Sequence, residues 1–191
     1  MAFTFTKNEV INDIILIDTK SFWDQRWFFM ETYNQKDFEE NGITTKFVQD
    51  NYSKSIRGVF RGFHFQTQHT QAKLVRVNIW SVLDFAIDIR KNSPTYGTYI
   101  YELLSAENKK QLFIPKWFAH GFLVLEDETE FYYKCDDYYD PQHEGGIHYS
   151  DQDIQINREE IMKKHGIKEL ILAEKDKKHP TLKEFYTSNP F

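Results

Sequence analysis

Four residues that can take part in proton transfer stand in apolar stretches of this chain: His64, Lys73, His120 and Tyr133. His64 lies in the run GVFRGFHFQ, where it and Arg61 are surrounded by valine and phenylalanine. A buried charge is costly unless it is paired, and a buried imidazole needs hydrogen-bond partners. For each residue alone a structural role is the more common explanation. The alternative for His64 is a catalytic residue in the wall of a ligand cavity.

A metal site of the cupin type is not predicted. His120 lies five residues after Pro115, as in the second motif of metal-binding cupins. Those proteins also need an H-x-H pair with a downstream carboxylate on an earlier strand. Here His64 is followed by FQ, and the next histidine, His69, does not supply the pair. We therefore expect no metal ion.

The composition describes an acidic, aromatic-rich chain of ordinary domain size. It has 191 residues, a formal net charge of −5 and 17% aromatic residues. The absence of a basic block argues against nucleic acid as a partner. Cys135 is the only cysteine, so no intramolecular disulfide is expected. No apolar run approaches the roughly 20 residues that span a membrane, and the N-terminus lacks a signal-peptide core. These features predict a cytoplasmic protein with no membrane partner.

Residues 75–90, VRVNIWSVLDFAIDIR, alternate between apolar and polar side chains. This period of two predicts a β-strand or a tight hairpin with one apolar and one polar face. The polar face includes Asp84 and Asp88. It is either solvated or lines a polar cavity inside a barrel.

Short strands dominate the rest of the prediction, and helices are few. Strands are predicted at 14–17, 27–33, 46–49, 98–104, 111–114, 121–125 and 130–135, with turn signals between them. Many closely spaced strands suggest a sandwich or a barrel. Helices are predicted at 35–41, after Asn34, and from a capping box at Asn157 to about His165. The segment 174–180, EKDKKHP, is predicted to be too charged for the core.

Segments from about residue 14 to residue 182 make the chain resemble the dTDP-4-dehydrorhamnose 3,5-epimerase family. They are DQRWFFMETYN, FVQDNYSKS, GVFRGFHFQ, KLVRV, LDFAIDIRKNSPTYG, LLSAENKKQLFIP, FAHGF, YKCDDYYDPQHEGGI and LAEKD. The resemblance implies a mostly β fold, a cupin-like jelly-roll barrel of antiparallel strands with short helices, mainly C-terminal. It also implies a homodimer built from one domain over 1–191, with residues of about 155–191 as a helical extension.

The family inverts C3 and C5 of a 4-keto-6-deoxy sugar carried on thymidine diphosphate. Both carbons flank the C4 ketone, so the reaction needs a base, an acid on the opposite face and a group that stabilises the enolate. By position, the resemblance implies that His64 is the base and that Asp176 orients it. It implies that Tyr133 is the acid and that Lys73 stabilises the enolate.

The remaining positions implied by the resemblance bind the dTDP-sugar substrate. Those that match sugar or diphosphate contacts are Gln49, Asn51, Arg61, His120, Glu144 and Lys175. Arg26 and Glu31 match nucleotide contacts made partly across a dimer interface, and Tyr139 matches a tyrosine that stacks on thymine.

Three tryptophans depart from the family pattern. Trp27, Trp80 and Trp117 stand where the family usually has glycine. Because a tryptophan enters positive φ only at a cost, these turns are predicted to be rebuilt or never to have needed it. Trp117 is also predicted to narrow the cavity mouth near His120.

The sequence thus predicts an isomerase that inverts C3 and C5 of dTDP-4-dehydro-6-deoxyglucose, in dTDP-rhamnose-type deoxysugar synthesis for surface polysaccharide. Two alternatives stay open. One is a single-centre epimerase or a 3,4-ketoisomerase on a related nucleotide sugar. The other is a non-enzymatic sugar-binding jelly roll, which would have no reason to keep His64 and Tyr133 together.

Overall fold

Residues 2–191 are described by a computed structural model that is mostly β. The strands are β1 Phe3–Lys7, β2 Ile15–Thr19, β3 Phe22–Asp24, β4 Trp27–Phe29, β5 Gln49–Ser55, β6 Phe60–Gln66, β7 Lys73–Ile79, β8 Ser81–Asp88, β9 Tyr99–Ser105, β10 Gln111–Ile114, β11 Phe118–Val124, β12 Thr129–Cys135 and β13 Glu144–Gly146. The helices are α1 Gln35–Glu40, α2 Arg158–Lys164 and α3 Leu182–Ser188, with a 3-10 helix at Asp176–Lys178.

Two antiparallel sheets form the body of the fold. One has six strands in the order β1-β2-β10-β7-β12-β5, and the other has five in the order β13-β6-β11-β8-β9. Their pairings are antiparallel throughout. Strands β3 and β4 form a separate hairpin. The predicted cupin-like barrel of antiparallel strands is confirmed.

The side chains of β8, in the second half of residues 75–90, alternate between two apolar cores that lie on the two faces of the five-stranded sheet. The strand pattern breaks at Trp80, between β7 and β8. On β8, Val82 and Ala86 join the core between the sheets. Leu83 and Phe85 join a second core with apolar residues of the C-terminal extension. Because Asp84 shares its parity with Val82, it lies inside the barrel and is fully buried.

The two predicted helices are present, whereas α3 and the 3-10 helix were not predicted. Asn34 caps α1 and Asn157 caps α2, so both predicted starts are confirmed. Helix α3 begins with a capping box of Thr181 and Glu184, from which its start could have been predicted. Within residues 2–191, no helix is both long and apolar enough to cross a membrane.

Two strand predictions were misplaced. The strand predicted at 46–49 is β5, which runs from Gln49 to Ser55. Its sequence QDNYSKS lacks an apolar alternation because its inward side chains are polar. The strand predicted at 27–33 ends at Phe29, since it belongs only to the short β3–β4 hairpin.

The three tryptophans keep the backbone conformation that glycine would favour. The φ angles are 93° for Trp27, 65° for Trp80 and 67° for Trp117. Both predicted alternatives, rebuilt turns and turns that never needed positive φ, are therefore wrong, because the tryptophans adopt positive φ. All three indoles are exposed. Trp117 lines a surface groove with Arg90 and Pro94, which within residues 2–191 includes none of the predicted site residues.

The charged segment 174–180 is partly buried, contrary to prediction. Asp176 is 1% exposed. A carboxylate so deep in the protein needs partners, and it has them in histidines from two parts of the chain.

Candidate active site

A β-bulge places Arg61 and His64 on the same face of β6. Residues three apart on a regular strand face opposite ways. Here His64 pairs with His120 of β11, but Arg61 pairs with Phe122, so the register shifts by one residue between them. The shift occurs at Gly62, where φ is +141°. An added Cβ at Gly62 would lie 2.5 Å from the Cα of Gly121, so no larger residue fits between these strands.

His64 and Asp176 form a hydrogen-bonded pair. Nε2 of His64 lies 2.8 Å from Oδ1 of Asp176, in the first residue of the 3-10 helix. Burial alone would raise the pKa of Asp176, but the imidazoles of His179 and His64 outweigh it and hold the pKa well below its usual range. Asp176 is therefore ionised and fixes the ring of His64. Nδ1 of His64 is left as the nitrogen not bonded to this carboxylate.

A second histidine–aspartate pair lies deeper in the barrel. Nε2 of His120 lies 2.9 Å from Oδ2 of Asp84, and both side chains are buried. Burial raises the pKa of Asp84 and lowers the pKa of His120. The ring of His120 also stacks on Phe131 of β12, in the opposite sheet. Because His64 pairs with His120 across adjacent strands, both rings project into the barrel.

The opposite wall of the barrel carries Lys73 and Tyr133. In the register of the six-stranded sheet, Cys135 pairs with Lys73, and Tyr133 pairs with Asn51. Lys73 and Tyr133 thus share the inward face of adjacent strands with Phe131. Burial raises the pKa of Tyr133 to about 12. It lowers the pKa of Lys73, against the opposing influence of nearby acidic groups that include Asp84.

The thiol of Cys135 contributes no nucleophile to this wall. It is buried, and the amide of Asn51 lies 3.7 Å from its sulfur. Burial raises its pKa to about 11, so the thiol keeps its proton at neutral pH.

Four predicted binding residues form the rim of the site. Oε1 of Gln49 accepts a hydrogen bond from the backbone N–H of Tyr139 over 2.8 Å. Glu144 accepts a bond from Nζ of Lys175 at 2.5 Å and lies 3.3 Å from the hydroxyl of Tyr139. Burial alone would raise the pKa of Glu144, but Lys175 outweighs it and the pKa is lowered. The rim thus combines an exposed aromatic ring with an ion pair at the barrel mouth.

Arg61 lies between the two walls. Its guanidinium donates to the hydroxyl of Ser55 on β5 at 3.2 Å, and its charge favours ionisation of Tyr133. A guanidinium at this position can bind an anionic oxygen such as that of a diphosphate.

Two predicted nucleotide contacts lie apart from this group within the single chain. Arg26 is at the turn of the β3–β4 hairpin, where its side chain is 88% exposed and bonded to Asp24. Glu31 follows the hairpin and accepts a bond from the amide of Asn34. Neither has an ion pair or hydrogen bond, among residues 2–191, with the residues around His64.

Asp84 and His179 lie beside the predicted residues but were not predicted as part of this site. Asp84 carried a signal, since an acidic residue on the parity that enters the barrel must find a partner. His179 carried none, because its place beside Asp176 depends on how the C-terminal extension folds back onto β6.

The site therefore holds a fixed imidazole on one wall, a protonated phenol and a buried lysine on the other, and an open polar mouth. This set can remove a proton, return one and stabilise an oxyanion.

Comparisons with known proteins agree on one family. The sequence model of the dTDP-4-dehydrorhamnose 3,5-epimerase family matches residues 8–184. The dTDP-4-dehydrorhamnose 3,5-epimerase of Methanothermobacter thermautotrophicus is 45% identical over 182 residues, covering 95% of this chain and 96% of that protein. The enzyme of the same name from Escherichia coli is 46% identical over 176 residues, covering 91% and 92%.

A solved structure extends this similarity to the fold. The dTDP-6-deoxy-D-glucose-3,5-epimerase of Legionella pneumophila, in complex with dTDP-4-keto-L-rhamnose, aligns with a TM-score of 0.87 at 42% identity. The alignment covers 95% of this chain and 93% of that chain.

Proposed function

The chain belongs to the dTDP-4-dehydrorhamnose 3,5-epimerase family, and we propose that His64 and Tyr133 carry out its two proton transfers. The chain is an isomerase that inverts C3 and C5 of dTDP-4-dehydro-6-deoxyglucose in dTDP-rhamnose synthesis. Each inversion removes a hydrogen next to the C4 ketone and returns one to the other face of the sugar.

One observation carries this assignment: the two side chains project into the barrel from opposite sheets. His64 is on β6 of the five-stranded sheet, and Tyr133 is on β12 of the six-stranded sheet. A sugar between the sheets would present one face to the imidazole and the other to the phenol. This is the arrangement that inversion needs, since removal and return on the same face restore the original configuration.

His64 acts as the base through Nδ1. Its Nε2 is bonded to Asp176, so the proton of the neutral ring stays on that side and the lone pair of Nδ1 is available. As Nδ1 takes the hydrogen from carbon, the C–H electron pair moves towards the C4 oxygen and forms an enolate. The carboxylate of Asp176 then stabilises the imidazolium by direct charge interaction.

Lys73 stabilises the enolate, and Tyr133 completes the step. The ammonium of Lys73 lies among acidic groups in the barrel, where a charge interacts strongly with a developing oxyanion. Tyr133 gives its hydroxyl proton to carbon as the enolate electrons return, and becomes a phenolate. Proton exchange with solvent then resets Tyr133 and His64 before the second centre reacts.

The other predicted residues bind the substrate in this proposal. Gln49, Asn51, Arg61, His120, Glu144 and Lys175 hold the sugar and the diphosphate. Tyr139 at the mouth stacks on thymine, for which its exposed ring is suited.

A homodimer would complete the nucleotide site. The β3–β4 hairpin exposes five large apolar residues: Phe22, Trp23, Trp27, Phe28 and Phe29. Such a patch on a small hairpin is typical of a surface that needs a partner. A second copy that covers it would bring Arg26 and Glu31 near the mouth of the other protomer's barrel. Light scattering at micromolar concentration should give the mass of a dimer. Phe29→Asp should weaken the dimer, and Tyr101→Asp, at another exposed aromatic residue, should not.

We place the enzyme in the cytoplasm. Its only cysteine is free and buried, which suits a compartment that keeps thiols reduced.

The direct test is incubation with dTDP-4-keto-6-deoxyglucose in heavy water. NMR should show one deuterium at C3 and one at C5, with both centres inverted. Deuterium at only one carbon would identify a single-centre epimerase. Retention of both hydrogens would contradict the proposed chemistry.

A further inference from the structure

A third side chain, His179, lies beside the His64–Asp176 pair. Its Nε2 is 3.7 Å from Oδ1 of Asp176, and its ring centroid is 5.6 Å from that of His64. One ligand atom from each of the three residues lies within 4.8 Å of the others. The cluster therefore places two imidazole nitrogens and one carboxylate oxygen close enough together to surround one ion.

Nε2 of His179 is buried and has no hydrogen-bond partner among the described residues. Its distance of 3.7 Å from Asp176 is too long for a hydrogen bond. An unpaired buried polar atom is unfavourable, so this nitrogen is available to a group that enters the cluster.

Packing holds the ring of His179 in this place. A Cβ added to Gly146 would lie 2.6 Å from Nε2 of His179, so the ring rests directly on the backbone of β13. Gly146 is in turn the cross-strand partner of His64. The two imidazoles are thus fixed relative to one another by a strand pairing and a glycine.

We propose that His64, Asp176 and His179 form a binding site for a divalent transition metal ion of the zinc class, and that the bound ion inhibits the enzyme. Zinc prefers imidazole nitrogen and carboxylate oxygen at about 2.0–2.2 Å in tetrahedral geometry, which places ligand atoms about 3.3 Å apart. The separations of the two Nε2 atoms from Oδ1 of Asp176, 2.8 Å and 3.7 Å, lie on either side of that value. Small shifts of side chains would form the site, with water as the fourth ligand.

This site differs from the metal site of cupins in its origin. It uses no H-x-H pair, and its second histidine comes from the C-terminal extension rather than from a barrel strand. The chain can therefore lack the cupin motif and still bind a metal ion at His64, the proposed general base.

Inhibition follows from the proton balance of His64. A metal on Nε2 takes the lone pair of that nitrogen, so the proton of the neutral ring moves to Nδ1. Nδ1 then carries a hydrogen and cannot accept one from the sugar. Asp176 is engaged by the metal and no longer orients the ring. The inhibition rests on the proposed role of His64, whereas the binding does not.

The binding is tested with Co²⁺ alone, without substrate. Titration of the purified protein should produce the visible absorption of four-coordinate cobalt, saturating at one ion per chain. His179→Gln should weaken Co²⁺ binding by more than roughly tenfold. Loss of a residue that only supports a ligand typically costs roughly 10–100-fold in metal affinity, and loss of a ligand itself should cost at least the lower of these values. His165→Gln, at a histidine outside the cluster, should leave the titration unchanged.

A second variant keeps all three ligands but displaces one of them. Gly146→Ala should push the ring of His179 aside and weaken Co²⁺ binding as well. Thermal unfolding of both variants would show whether they remain folded. If wild type gives no saturable spectrum, or if His179→Gln and Gly146→Ala both bind Co²⁺ as wild type does, the metal site is refuted.

The activity assay separates this inference from the proposed function. Zn²⁺ should inhibit deuterium exchange in wild type at concentrations that do not further reduce the rate of His179→Gln, when each protein is compared with its own zinc-free rate, and EDTA should restore the wild-type rate. EDTA alone should cause no loss of activity. An inactive wild-type enzyme with a saturable Co²⁺ spectrum would contradict the proposed function and leave the metal site standing. Full activity with bound metal would contradict the inhibition.

Discussion

Oδ1 of Asp176 lies 2.8 Å from Nε2 of His64, although one residue begins a short 3-10 helix near the C-terminus and the other is in the middle of β6. The carboxylate is held ionised by the imidazoles around it. In the proposed mechanism this contact selects which nitrogen of His64 would face the sugar, so the C-terminal segment would serve the chemistry as well as cover the outer core.

His64→Asn should abolish proton exchange while dTDP binding largely survives. Removing a general base costs roughly 10²–10⁴ in rate, whereas the proposed nucleotide contacts lie elsewhere. Deuterium incorporation and dTDP titration calorimetry would measure the two effects separately. Exchange at a near-normal rate in this variant would exclude His64 as the base.

Lys73→Arg should move the alkaline limb of the pH–rate profile to higher pH. Burial lowers the pKa of Lys73, so its stabilising charge is present at low pH and is lost as pH rises through that lowered value. Arginine stays charged over the accessible range, although its shape will reduce the maximal rate. The measured quantity is the pH of half-maximal kcat on the alkaline side.

Lys116→Arg provides the matched control, since Lys116 pairs with Asp136 away from the barrel interior. Tyr133 should not set this limb, because its pKa is raised to about 12. An unchanged alkaline limb in Lys73→Arg would assign the limb to another group.

Much of the site could be predicted because its residues lie on strands with a clear alternation. In EFYYKC, Tyr133 shares its parity with the apolar Phe131 and Cys135, and the structure places Tyr133 against the inner core with Phe131. Strand β5 was misplaced because its inward side chains are polar. Polar residues that face a cavity remove the alternation of apolar and polar residues by which a strand is predicted.

The rest depends on contacts that local sequence does not encode. Arg61 and His64 face one way only because Gly62 and Gly121 allow two strands to approach at a bulge. Asp176 is buried in a segment of charged residues because His64 pairs with it over a long sequence separation. The many charged residues of that segment predicted that it lies outside the core, but the tertiary contact with His64 buries Asp176.

The positive φ of Trp80 should reverse the usual order of alanine and glycine. Trp80 has a φ of 65° and is 55% exposed at the turn between β7 and β8. Trp80→Ala and Trp80→Gly remove the same indole, so their difference reports the backbone. A non-glycine residue in this region costs roughly 1–2 kcal/mol, which exceeds the roughly 0.5–1 kcal/mol by which glycine is otherwise the less stable.

Urea unfolding should therefore give Trp80→Gly the higher free energy of unfolding, by about 1 kcal/mol. Trp23, on β3 without a positive φ, is the control, and there the alanine variant should be the more stable. The same order at both positions would mean that the turn at Trp80 relaxes when the indole is removed.

Tyr133→Phe should separate hydrogen exchange from inversion. His64 remains in place on the facing sheet, so it can still remove the hydrogen and return one from solvent to the same face. Without the phenol, no proton is delivered from the opposite wall. We expect deuterium in the sugar with little change of configuration, and NMR after incubation in heavy water reads the two separately.

The raised pKa of Tyr133, about 12, explains why Tyr133→Phe should lose inversion and keep hydrogen exchange. A phenol so weakly acidic keeps its proton at neutral pH, so Tyr133 is present as a donor and contributes little as a base. Tyr132→Phe, on the outer parity of the same strand, is the matched control and should invert both centres normally. Complete inversion by Tyr133→Phe would make Tyr139 or a bound water the donor. Loss of both exchange and inversion would show that the phenol is also needed to form the enolate.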